Sequence, residues 1–122
     1  MRTLLVALSF LAIGGIRLKA QVTVKGYTVV MTETQSENPA RRRMDDYLKG
    51  LGDGMLEMAV AERTKLFCPP PKLPLGLETY KNILNSEIKR DVTKMTQAEM
   101  DGTPLSTVLL AGLQVIFPCQ RK

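Results

Sequence analysis

Few side chains in this chain could do covalent or acid–base chemistry. Asp53 and Glu57 are four residues apart, a spacing that puts two carboxylates on one helix face, as a paired general acid and base would need. Cys68 and Cys119 are the two thiols, and 122 residues include no His and no Trp. Without imidazole there is no Ser-His-Asp or Cys-His pair, no His metal ligand and no histidine proton switch near neutral pH. Two Cys alone supply too few soft ligands for a metal site. Nothing near Asp53 in sequence offers a nucleophile, a metal ligand or a phosphate-cradling loop, so the pair reads as ordinary carboxylates on a solvated face. The expectation is a protein with no catalytic residue, no metal and no cofactor.

Other residues direct the chain elsewhere in the cell. Met1-Arg2, the apolar run Thr3 to Ile16 and a small residue at Ala20 have the layout of a secretory signal peptide, with cleavage before Gln21. The run is shorter than the roughly 20 apolar residues that span a bilayer, and no Cys near the site would carry a lipid, so no membrane anchor is expected after cleavage. Arg2, Arg17 and Lys19 leave with residues 1–20 and no acid does, so the remainder has 14 basic and 12 acidic residues, net +2. Only Arg41-Arg42-Arg43 stays as a basic cluster, followed at once by Asp45-Asp46. That run reads as a solvated helix start, with a phosphate or membrane patch as the alternative, and nucleic acid is not an expected partner. In an oxidising compartment, two thiols are most simply read as a Cys68–Cys119 disulfide, with free thiols or an intermolecular bridge as the alternatives.

These residues need a scaffold, and apolar periodicity supplies one. Residues 21–37, rich in Val and Thr, read either as a short strand around Tyr27 to Met31 or as a flexible lead-in. Asn38-Pro39 is a helix start, and Met44, Tyr47, Leu48, Leu51, Met55, Met58 and Ala59 recur at three and four, predicting a helix from about Ala40 to Lys65. On it, Gly50 and Gly54 share a face that would let a neighbouring helix or a partner subunit approach closely; the alternative is a kink near Gly52. The three methionines on this stripe read as core filler. Cys68-Pro69-Pro70-Pro71 ends the segment, and a Pro-rich connector runs to Pro74. Leu77, Tyr80, Leu84 and Ile88 mark a second helix, from Leu77 to about Arg90. Asp91 to Thr103 is a polar interruption with at most one turn begun by Thr96, which has Glu99 in the capping-box position. Thr103-Pro104 opens a last apolar helix that stops at Pro118-Cys119. The fold class expected is all-α, a small antiparallel bundle of three to four helices tied by one disulfide, as a single domain over residues 21–122.

The ordered set of motifs resembles a known family. Tyr47-Leu48-Lys49-Gly50-Leu51-Gly52-Asp53-Gly54 is similar to the Tyr-apolar-x-Gly-apolar-x-Asp-Gly helix of the small exported Rap/Tai immunity proteins. Phe67-Cys68-Pro69, an amphipathic helix after a connector, and Ala111 to Cys119 resemble the rest of that pattern in the same order, covering about residues 44–119. The chain departs from it in having Met44-Asp45-Asp46 where many relatives carry an additional Cys, and Arg90-Asp91-Val92 where a Pro-bearing ending is usual. The resemblance implies a helical periplasmic protein, commonly a homodimer, that binds and blocks a toxin delivered by type VI secretion; in one branch that toxin is a peptidoglycan amidase with a cysteine nucleophile. It further implies that a loop between the later helices enters the enzyme's cleft. Here that is the Asp91–Gly102 segment, where Lys94, Met95, Gln97 and Glu99 are the expected exposed contacts, or else an ordinary surface loop. A different class, a periplasmic chaperone-like or envelope-stress binding protein, fits a small disulfide-tied bundle as well.

Overall fold

The computed structural model describes residues 21–61, 65–71 and 75–120; the expected signal peptide, residues 1–20, lies outside them. The described chain is all-α, with five helices: α1 (Val24–Glu33), α2 (Pro39–Ala61), α3 (Leu77–Asp91), α4 (Gln97–Gly102) and α5 (Leu105–Ile116). That exceeds the three to four expected, because α1 replaces the strand or lead-in and the polar interruption holds a short helix. In α1, Thr23 caps the first turn by accepting from Gly26 N at 3.2 Å, and Val24 and Tyr27, three apart, are buried. Burial of that stripe outweighs the β preference of Val and Thr, which is weak against tertiary packing.

α2 begins where Asn38-Pro39 places it, with Asn38 Oδ1 accepting from Ala40 N at 2.8 Å. It runs unbroken through all three glycines. Its buried positions are Met44, Leu48, Gly52 and Ala59, whereas Met58 is 59% exposed and is not core filler. Thr103 does not cap α5: Pro104 stands at the N-cap with no side-chain bond, and Thr103 Oγ1 instead donates to Glu99 O at 2.7 Å.

The core is made chiefly where α3 lies against α5 and α2. α3 contributes Tyr80, Ile83 and Leu84; α5 contributes Leu105, Val108, Leu109 and Leu113; α2 contributes Met44 and Leu48. Each such side chain is worth about 1.5–3 kcal/mol on burial. Both neighbours reach α3 through a glycine. A Cβ on Gly52 would sit 2.3 Å from Tyr80 Cε2, and one on Gly112 would sit 2.6 Å from Ile83 Cγ2. Gly50 and Gly54 were expected to be the close-packing pair, but within this chain each is exposed and a Cβ on either would meet nothing within 4 Å. The inward face of α2 carries Gly52 instead, in register with Met44 and Leu48.

Two backbone links join segments far apart in sequence. Val24 N donates to Thr103 O at 3.0 Å and Leu105 N to Val22 O at 2.8 Å, forming an antiparallel bridge at Thr23 and Pro104. Cys68 N donates to Phe117 O at 2.8 Å, beside the Cys68–Cys119 disulfide, which spans 51 residues. Phe67, 2% exposed, is driven into the core next to that link.

Two measurements follow from this packing. Chemical denaturation of Gly52→Ala should show a loss of about 1–3 kcal/mol from overpacking against a ring that cannot withdraw. Gly50→Ala and Gly54→Ala should each gain about 0.5–1 kcal/mol from helix propensity alone, and equal effects at all three positions would refute the assignment of Gly52 as the contact. For the disulfide, Cys119→Ser or full reduction should remove about 2–4 kcal/mol, seen as a lower thermal midpoint.

Candidate functional site

The segment between α3 and α5 forms a strap whose local bonds are almost all internal. Val92 N donates to Ile88 O at 3.0 Å and Lys94 N to Asp91 O at 2.9 Å, which turns the chain out of α3. The capping box expected from Thr96 and Glu99 is present, with Glu99 N donating to Thr96 Oγ1 at 3.2 Å and Thr96 N to Glu99 Oε2 at 2.9 Å. Such a box satisfies two otherwise orphaned amides and fixes the start of a helix too short to be stable alone. Met100, 1% exposed, pegs α4 into the core, and the bridge to Val22 and Val24 holds the strap's far end.

Of the four side chains expected to project from this strap, Lys94, Gln97 and Glu99 are exposed. Met95 differs from that expectation: it is half-buried and packs against the core cluster, because an apolar side chain next to the last turn of α3 gains more by covering that core than by facing water. Gln97 Nε2 donates to Asp101 Oδ1 at 2.7 Å, and the Glu99 carboxylate is engaged by its own cap. Lys94 has no acidic partner among the described residues.

The carboxylates at 53 and 57 separate in role. Glu57 is exposed, while Asp53 accepts the Tyr80 hydroxyl on Oδ1 and Lys49 Nζ on Oδ2, both at 2.8 Å. The bond from Lys49, then that from Tyr80, holds the Asp53 carboxyl below its usual range. Burial, and then the Asp53 carboxylate, pushes the Tyr80 phenol far above its own. Each group is thus held in the protonation state it already has at neutral pH, the opposite of the poise that proton transfer requires. The cluster buckles α2 to α3.

Glu87 is the other notable acid, 4% exposed and paired with Arg90 one turn later on α3. Asp45 Oδ1 is buried too; its partner is Lys81 Nζ at 2.8 Å, an ion pair whose angle falls short of a hydrogen bond.

Two surface features were not foreseen from sequence. One is a groove of about 530 Å³ between α1, the start of α2 and α3, with Tyr27, Met31, Arg41, Lys81, Asn85 and Lys89 in its walls. The other is exposed apolar side chains at the end of α2 (Met58, Val60), at Leu66 before the disulfide, and at the end of α5 (Val115, Ile116). Arg41 stands in a run that reads first as a solvated helix start, and Asn85 and Lys89 carry no motif; only the approach of three helices assembles the groove. No protein-family model, curated protein or solved structure matches this chain.

The buckle predicts a pH signature. A lowered Asp53 adds stability that is complete above its ordinary value of 3.8 and is lost as pH falls below it. A raised Tyr80 adds stability that is complete below 10.0 and is lost as pH rises beyond it. Tyr80→Phe should cost about 1 kcal/mol at neutral pH and flatten the alkaline limb of a stability–pH curve. Tyr27 and Tyr47, also raised by burial, keep part of that limb. An unchanged alkaline limb would contradict a Tyr80 phenol held protonated by burial and by Asp53.

Proposed function

We propose that this chain is an exported immunity-type protein that binds a peptidoglycan-cleaving effector, most specifically a type VI peptidoglycan amidase, and occludes its active site. The observation that carries the reading is the Asp91–Gly102 strap: a capped, core-pegged surface segment presenting Lys94, Gln97 and Glu99 on a disulfide-tied helical body. A blocking element gains affinity when its shape is set before contact, because less conformational entropy is lost on binding. The motif order around Tyr47–Gly54, Phe67–Pro69 and Ala111–Cys119 supports the Rap/Tai family as its relative. A disulfide suits the oxidising periplasm, and no described helix is long and apolar enough to cross a membrane. The protein acts in this reading without a cofactor or a catalytic residue of its own, and as a homodimer.

A second reading has its own observation. Met58, Val60 and Leu66, each more than half exposed, together with Val115 and Ile116, offer apolar surface that a chaperone-like envelope protein would use for unfolded clients.

Co-expression of the chain from Gln21 onward with a candidate peptidoglycan amidase tests the first reading. The expected outcome is a complex of fixed ratio and loss of peptidoglycan hydrolysis. Lys94→Glu should weaken inhibition by tenfold or more, the order expected for a charge-assisted contact, with an unchanged melting temperature. Hydrolysis that continues at saturating ratio would defeat it, and suppression of aggregation of several unrelated proteins would favour the second reading.

A further inference from the structure

The groove between α1 and α3 has a one-sided hydrogen-bonding chemistry. Tyr27 Oη donates to Asn85 Oδ1 at 2.9 Å, which fixes the amide and leaves both Asn85 Nδ2 hydrogens for a ligand. Arg41 spends Nη1 on the carbonyls that end α1, Thr34 O at 2.9 Å and Met31 O at 3.5 Å. Neutral carbonyls leave its charge in place, and Nε and Nη2 have no partner among the described residues. Lys89 is exposed on the last turn of α3, with no acid within ion-pair distance among the described residues. Lys81 is the exception, neutralised by Asp45 at 2.8 Å and approached by Glu78 at 3.7 Å. Met31 and Ile88, both half-buried against the core, supply an apolar floor.

We propose that this groove is a docking site for an acidic polypeptide segment, taking one or two carboxylates on Arg41, Asn85 and Lys89 and an apolar side chain over Met31 and Ile88. Charge complementarity argues for the occupant: two cations with no carboxylate partner among the described residues and an amide donor face a space whose one lining carboxylate, Glu78, is turned to Lys81. Concavity argues for a peptide over a bilayer. Donors in the walls of a groove are within reach of a single extended or looped chain, whereas a flat array of headgroups meets only the rims. The site is separate from the strap residues Lys94, Gln97 and Glu99, and it stands whether or not the partner is an effector.

A random peptide library displayed on phage and selected against the full chain from Gln21 onward tests it. The expected result is enrichment of sequences with Asp or Glu flanking an apolar residue, whose binding weakens as salt is raised. Lys89→Glu and Asn85→Ala should each reduce the affinity of a selected peptide by about tenfold or more, with unchanged melting temperature. Amide shifts in that complex should fall on Tyr27–Thr32 and Lys81–Lys89. No enrichment, enrichment of neutral or basic sequences, binders indifferent to Lys89→Glu, or stronger perturbation of the same amides by phosphatidylglycerol vesicles would each overturn the proposal.

Discussion

The closeness of α3 to its two neighbours is the constraint on which the rest of the structure depends. α2 meets α3 at Gly52, where the backbone comes close against the Tyr80 ring, and α5 meets it at Gly112, against Ile83 and the base of Glu87. With a methyl group at either position the helices could not keep this separation. Because they do, Tyr80 is fully enclosed, and its hydroxyl donates to Asp53 Oδ1 on α2. One aromatic side chain therefore provides both the largest buried volume on α3 and a polar tie across the helix pair.

A core of this size leaves little margin, since burial and chain entropy nearly cancel in a domain of about one hundred residues. The covalent bond between Cys68 and Cys119 helps by restricting the unfolded chain across 51 residues. It also stands where Phe67 enters the core and Cys68 N meets Phe117 O, so covalent, apolar and backbone contributions fall on one spot. That leaves the strap and the α1 groove, at other places in the fold, to carry charge and polarity without weakening the closure.

The elements with strong periodicity were readable in the sequence: α2, α3, α5 and the pairing of two cysteines follow from apolar spacing, proline stops and thiol arithmetic. α1 was not, because Val and Thr content speaks for a strand while the surface that makes it a helix comes from α2 and α4. Gly50 and Gly54 share a face by spacing, but the stripe Met44, Leu48 continues at four-residue steps to Gly52, and that continuation held the signal for the contact. For the candidate sites, the strap and its capping box were legible, whereas the inward turn of Met95 depended on the packed core behind it. The groove was invisible, since Tyr27, Arg41 and Asn85 stand on three helices and share no pattern along the chain.

α5 is fastened at both ends by hydrogen bonds to residues distant in sequence, through Val22 and Val24 at its start and through Cys68 at its finish. Helices ordinarily fray from their termini, where amide hydrogens exchange with solvent through small local openings. Here the first and last turns of α5 can open only when a second segment detaches with them. The slowest-exchanging amides of the molecule should thus extend along nearly the full length of α5, and its ends belong to the same cooperative unit as its middle.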